Sequence, residues 1–314
     1  MPTMTQLQYI VALQRTGHFG RAAEECHVSQ PTLSAQVAKA EGELGVVLFD
    51  RRAKPITVTE PGRRLVALAQ DVLMAHERLL GAASGATKLS GSFTLGVIPT
   101  LAPFVLPWFL GPFSEAYPDV ELTVLERPTA SIVAEIQAMR MDAGLLATPL
   151  GEPGFEKRVL FYDPFYVYAS EGSPLLERDE VTVEDIDRRD LWLLEDGHCF
   201  RSQVVHLCGL HRQGVLGNVT FEAGSFETLR ALIDDAGGFT LVPESYARTL
   251  PRDIRTSRIR PFADPVPTRE VSVVAHRAHW KTGVLDAVAG CLRAKAPRSL
   301  PRELGSGVVM PIQG

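Results

Sequence analysis

The sequence predicts an α/β chain in two parts: a small helical domain on a long helix, then a larger domain in which strands and helices alternate. Three observations lead there. Apolar residues recur at helical spacing in three short runs between Leu7 and Ala40. From Glu60 to Leu80 they repeat at intervals of three and four, the seam of a two-stranded coiled coil. Beyond a Gly-, Ala-, Ser- and Thr-rich stretch from Gly81 to Ser92, β-branched runs alternate with helical ones.

Taken in order, Leu7, Ile10, Val11 and Leu13 mark a first helix, and Ala22, Ala23 and Cys26 a second after Gly17-His18-Phe19-Gly20. Leu33, Val37 and Ala40 mark a third after His27-Val28-Ser29. Ser29 is placed to cap that third helix, and Pro31 falls in its first turn, where a missing N–H does no harm. Ile56 to Thr59 is β-branched and follows Arg51, Arg52 and Lys54, as in the wing of a winged helix. Thr59 can cap the long helix, whose seam is Leu65, Leu68, Val72, Ala75 and Leu79. A dimer follows from that seam.

In the second part, strands are expected at Phe93–Ile98, Val120–Leu125, Ala143–Leu146, Phe165–Ala169, Leu191–Leu194, Val219–Phe221, Phe239–Val242 and Val271–Ala275. Helices are expected near Leu101–Tyr117, Ala130–Met139, Phe226–Asp234 and Val284–Lys295. The alternation argues for parallel sheets, and Gly305 to Gly314 reads as a loose tail.

Composition narrows the class. With 314 residues, 45% of them hydrophobic and 22% charged, the chain has the balance of a soluble globular protein rather than a disordered or fibrous one. The apolar run from Leu101 to Leu110 is short and broken by prolines, and no basic flank precedes an apolar stretch at the N-terminus, so a cytoplasmic location is expected and no membrane partner. Four cysteines in a chain this long do not read as a disulfide framework. The net charge of −5 argues against indiscriminate nucleic-acid binding, but Arg51, Arg52, Lys54, Arg63 and Arg64 cluster in the N-terminal part.

That cluster flanks a candidate recognition helix. A helix entering the major groove can offer glutamine amides to adenine edges and hydroxyls to several edges, which makes Gln30, Thr32, Ser34 and Gln36 candidate base readers behind Pro31. Arg51, Arg52 and Lys54 would contact phosphates, adding affinity without specifying bases.

The second chemical signal is Leu193-Leu194-Glu195-Asp196-Gly197-His198-Cys199, followed nine residues later by Cys208, with His206 and His211 nearby. A thiol must ionise to attack an oxidant, so cationic or hydrogen-bonding neighbours such as His198 and Arg201 would help it. A zinc site from Cys199, His206, Cys208 and His211 fits by residue type but has none of the common paired ligand spacings, so no metal or other cofactor is expected. Cys26 and Cys291 lie on apolar helix faces and read as core.

Phe19, Ala22-Ala23, Val28-Ser29-Gln30-Pro31, Leu33-Ser34, Glu41, Leu44-Gly45 and Leu48-Phe49-Asp50-Arg51 stand in an order that resembles the N-terminal domain of LysR-type transcriptional regulators. Gly96-Val97-Ile98-Pro99, Tyr117-Pro118 and Gly238-Phe239-Thr240-Leu241-Val242-Pro243 are similar to that family's effector domain. The run around Cys199 resembles its peroxide-sensing branch, although Ser202 stands where that branch carries an aspartate.

The resemblance implies a winged helix-turn-helix over 1–58, a dimerising linker helix and hinge over 59–90, a two-lobed, periplasmic-binding-protein-like effector domain over 91–302 and a flexible tail over 303–314. It also implies that Cys199 is oxidised by hydrogen peroxide and resolved by Cys208, with Thr100, Thr129, His198 and Arg277 lining the peroxide site. Promoter DNA, hydrogen peroxide, a second copy of the chain in a dimer or tetramer, and RNA polymerase are the implied partners. If Cys199 to Cys208 is helical, nine residues rise about 13.5 Å, so bridging needs local unfolding. Two other functions fit less of the chain: a regulator of the same architecture that binds a small anionic metabolite, and a thiol peroxidase, which leaves the DNA-binding part unexplained.

Overall fold

The computed structural model describes residues 1–83, 89–150, 154–186, 190–195, 199–208, 215–216, 219–220, 223–277, 279 and 281–311. They form two compact units, the first reaching from Met1 through the long helix and the second beginning at Leu89.

The first unit opens with α1 (Met4–Thr16), α2 (Phe19–Glu25) and α3 (Gln30–Leu44). Each start is fixed by a side chain: Thr3 and Gln6 form a capping box on α1, the His18 ring accepts from Gly20 N–H ahead of α2, and Ser29 Oγ accepts from Thr32 N–H at the head of α3. Ile10, Leu13, Ala22, Leu33 and Val37 close into a core, joined by Phe49 from β1 (Phe49–Asp50), which pairs antiparallel with β2 (Thr57–Val58) as the wing. Thr59 Oγ1 accepts from Gly62 N–H, and α4 (Glu60–Ala83) follows. Of the expected seam, Leu65 packs inward on the core while Leu68, Val72, Ala75 and Leu79 are exposed.

The second unit runs β3 (Gly91–Val97), α5 (Ala102–Ala116), β4 (Val120–Glu126), α6 (Thr129–Gln137), β5 (Ala143–Thr148), β6 (Phe155–Ala169), α7 (Cys199–Cys208), β7 (Val215–Leu216), β8 (Val219–Thr220), α8 (Phe226–Ala236), β9 (Phe239–Pro243), α9 (Glu244–Ala247), α10 (Arg252–Arg258), β10 (Ile259–Pro261), β11 (Pro267–His276), α11 (Thr282–Lys295) and β12 (Val308–Val309). Its main sheet is ordered β10-β6-β11-β5-β3-β4, with β9 beside β6 and β12 beside β11. The sheet is mixed, not parallel as expected. β3 is parallel to β4 and β5, but β11 runs antiparallel to β5 and β6. The long strands β6 and β11 pass from one half of the unit to the other, so each half is completed by a strand arriving from the opposite direction.

Two cores result, one around Phe93, Leu95, Phe109, Ile132 and Val273, the other around Phe165, Val167, Phe200, Leu229 and Leu241. They correspond to the two lobes. Leu191 and Leu194 make isolated bridges to Phe239 and Ala223 instead of a strand.

The expected tail is also different. Up to residue 311 it is docked: β12 pairs in parallel with Pro267 and Thr268, and Met310 is buried in the second core. Its short Gly- and Ser-rich lead concealed an apolar end that has a groove to fill. Among the described residues no helix is long and apolar enough to cross a membrane.

Candidate functional site

Cys199 is the first residue of α7 and only 4% exposed. It packs in the first core, whereas Phe200, Val204 and Cys208 of the same helix pack in the second. The four cysteines are free thiols.

Glycine on the sheet sets how closely α6 packs against it. A Cβ at Gly96 would lie 2.9 Å from Ile132 Cγ1, and one at Gly144 2.4 Å from Ile132 Cγ2, so only bare backbone lets α6 settle on β3 and β5. The first residue of α6 is Thr129. Among the described residues its buried hydroxyl has no oxygen or nitrogen partner, and it faces the Cys199 thiol.

A charge lies close by. Arg269 on β11 is fully buried and ion-paired with fully buried Asp163 on β6 at 2.9 Å. Ser245 at the start of α9 donates to Asp163 from its N–H at 2.9 Å and its hydroxyl at 2.8 Å. The Arg269 guanidinium also donates to the Thr100 hydroxyl and carbonyl, both at 3.2 Å, and stands 5.4 Å from the centre of the Phe200 ring. Every member therefore has a partner, the condition under which charges are retained in a core.

Burial pushes the Cys199 thiol above its ordinary range, because a thiolate loses its hydration there. The charge of Arg269 opposes this, helped by the Thr129 hydroxyl and the N–H groups of Phe200 and Ala147. The resting state is a neutral, sequestered thiol whose ionised form already has donors arranged around it. Such a pocket can stabilise charge as sulfur attacks a small polar electrophile.

The expected residues fall out unevenly. Thr100, Thr129 and Cys199 adjoin this network, while Cys208, 1% exposed, stands at the far end of α7. The Thr100 hydroxyl accepts from Arg269, and no side chain caps α5. His198 lies outside the described residues, as does His211. Arg277 is a correction: it is exposed past the end of β11, its guanidinium bonded to the Phe155 carbonyl at 3.1 Å. The arginine whose charge reaches Cys199 is Arg269, eight positions earlier on the strand. Arg201 donates to the Leu194 carbonyl at 2.6 Å, pinning the entry to α7.

Sequence reasoning missed Arg269, Asp163 and Ser245. A usable signal existed. Charged residues inside apolar strand runs imply buried counter-ions, and Asp163 within Leu160–Tyr168 and Arg269 within Val266–Ala275 are such residues.

In the first unit Gln30, Pro31, Thr32, Arg52 and Lys54 are exposed and Ser34 is half-buried. Gln36 is partly engaged, accepting from Gln6 Nε2 at 3.0 Å. Arg51, expected on phosphate, is paired at 2.7 Å with Glu41, whose other oxygen accepts from the N–H groups of Leu48 and Phe49. That pair ties α3 to the wing.

Residues 4–63 match the family described as bacterial regulatory helix-turn-helix protein, lysR family, and residues 86–297 that described as LysR substrate binding domain. Over 291 residues the chain is 34% identical to the hydrogen peroxide-inducible genes activator of Pectobacterium carotovorum subsp. carotovorum, covering 91% of this chain and 94% of that protein. Over 293 residues it is 33% identical to the DNA-binding transcriptional dual regulator OxyR of Escherichia coli K12, covering 92% and 94%. Among solved structures, a full-length OxyR variant from Pseudomonas aeruginosa has a TM-score of 0.77 at 32% identity, covering 94% and 99%. The oxidised form of Corynebacterium glutamicum OxyR has a TM-score of 0.55 at 30% identity, covering 94% and 93%.

Proposed function

Because the chain belongs to the LysR family of bacterial helix-turn-helix regulators, which are transcription factors and not enzymes, we propose that it senses hydrogen peroxide and passes the signal to promoter DNA. The carrying observation is a buried Cys199 ringed by Thr129, backbone N–H groups and Arg269, nine residues from a second buried thiol, in a chain similar over most of its length to peroxide-inducible activators.

Thiolate attack on peroxide forms an S–O bond as the O–O bond breaks, leaving Cys199 as a sulfenic acid and releasing water once a proton is taken up. The Cys208 sulfur then attacks the Cys199 sulfur. The S–S bond forms, the S–O bond breaks, and the hydroxyl leaves as water with the thiol proton of Cys208. Peroxide is the two-electron oxidant. Since helical geometry separates the two Cα atoms by about 13.5 Å and a bridge needs them within about 7 Å, α7 must unwind. That remodelling is the signal.

Residues 1–58 supply the DNA contacts, with Gln30, Pro31, Thr32, Ser34 and Gln36 in the major groove and Arg51, Arg52 and Lys54 by the backbone. Residues 59–90 pair two copies through the exposed Leu68, Val72, Ala75 and Leu79, and residues 91–302 hold the sensor. Thr100, Thr129 and His198 line the peroxide site, with Arg269 taking the place expected of Arg277. The protein works in the cytoplasm, with RNA polymerase as a partner at activated promoters.

Thiol-trapping mass spectrometry with promoter footprinting tests this. Dilute peroxide should bridge Cys199 to Cys208 and shift the footprint, and Cys199→Ser should abolish both. An inert Cys199, or a footprint that shifts equally in the variant, overturns the reading and leaves a metabolite-responsive regulator.

A further inference from the structure

We infer that the C-terminal segment around β12 is a clamp on α7, and that Gln203 and Met310 are positioning residues that hold its two thiols apart and set how fast they can meet. The effect on bridging presupposes the peroxide chemistry proposed above; the hold on α7 does not.

The segment is anchored on both sides. Toward the sheet, Val308 N–H donates to the Val266 carbonyl and Met310 N–H to the Thr268 carbonyl, each at 2.9 Å. Toward the helix, the Gln203 carboxamide donates to the Met310 carbonyl at 2.9 Å. The Met310 side chain is 7% exposed and belongs to the cluster that contains Phe200, Val204 and Cys208. One short segment thus joins β11, within two residues of Arg269, to the inward face of α7.

Gln203 occupies the middle of the helix, four residues after Cys199 and five before Cys208, and is completely buried. Its Oε1 has no partner among the described residues, so the bond to Met310 is a large part of what satisfies this side chain. Bringing nine-residue-separated cysteines together cannot leave the residue between them in place. The Gln203–Met310 bond must break, and the second core that Met310 shares with α7 must be disturbed. While the segment is docked, opening α7 therefore carries the cost of an unsatisfied buried amide and an uncovered apolar side chain.

The clamp acts on the second covalent step and not the first. Peroxide meets Cys199 with α7 still wound, whereas Cys208 reaches the sulfenic sulfur only after the helix lets go.

The test compares the full chain with a chain ending at Gly307 and with Met310→Ala, which keeps the backbone bonds of β12. Hydrogen exchange of the α7 amides in the reduced protein should accelerate by about ten-fold in the shortened chain and by a smaller factor in Met310→Ala, as expected when a local opening loses its restraint. After peroxide, sulfenic acid at Cys199, trapped by a carbon nucleophile, should form at the same rate in all three. The disulfide should form about ten-fold faster in the shortened chain. Equal α7 exchange in all three proteins overturns the clamp whatever peroxide does. Faster exchange with an unchanged bridging rate overturns its control of that step. If no bridge forms even in the full chain, the peroxide reading fails while amide exchange still decides the clamp; should the shortened chain not fold, Met310→Ala carries the same comparison.

Discussion

At one end of α7, Cys199 lies in the first core with an arginine's field, a threonine hydroxyl and two backbone N–H groups around it; at the other, Cys208 lies in the second core among Phe200, Val204 and Met310. Both are buried to nearly the same degree. Around Cys199 that burial comes with donors its sulfur would meet as an anion. Burial alone makes a thiol inert, and burial beside preorganised donors makes it selective, because the oxidant must be small enough to enter and polar enough to use them.

Removing the charge is the severest way to break that contrast. Arg269→Met leaves Asp163 in the core without its counter-ion, and the expected loss is about 3–5 kcal/mol in unfolding free energy by urea titration. Oxidation of Cys199 should slow in whatever folds. Cys208→Ser tests the converse: sulfenic acid should appear at Cys199 at the unaltered rate and then persist, with no intramolecular bridge in the mass spectrum. Equal slowing of the first step in that variant would show that the ends are not independent.

Smaller changes sharpen the comparison. Thr129→Val removes a hydroxyl facing the thiol, and the loss of one hydrogen bond of about 1 kcal/mol predicts oxidation about five-fold slower, read by stopped flow. The mildest perturbation is pH. The Cys199 thiol is raised by burial, so its neutral form is favoured in the fold; that contribution is present below the unfolded thiol's pKa and is lost as pH rises through the folded one. Peroxide reactivity should therefore climb above neutrality. Unfolding free energy should fall more steeply at alkaline pH in the native chain than in Cys199→Ser.

The helix-turn-helix was readable because its rules are local. Ser29, Pro31 and the apolar spacing of Leu33, Val37 and Ala40 each act within a turn or two, and the structure places each where those rules put it. Cys199 and Cys208 were readable as a pair because they are close in sequence. The partners of Cys199 were not. Arg269 meets Asp163 across 106 residues, and nothing in either strand's own pattern says which strand will lie beside it. Family likeness brought an arginine to the site but chose Arg277, since the register of β11 was invisible. The docking of Met310 was hidden for the same reason: a few apolar residues after a glycine-rich turn look like an unattached end until a groove is found for them.

The division of α7 between two cores bears on how the signal ends. A helix whose opposite ends are each seated in apolar surroundings is at rest when wound, and a bridge between those ends leaves at least one seat empty. Cutting the S–S bond is then all that a reductant has to do, because rewinding is downhill by itself. On the proposed mechanism the supply of reducing equivalents then sets how long the response lasts, with the polypeptide acting as the return spring.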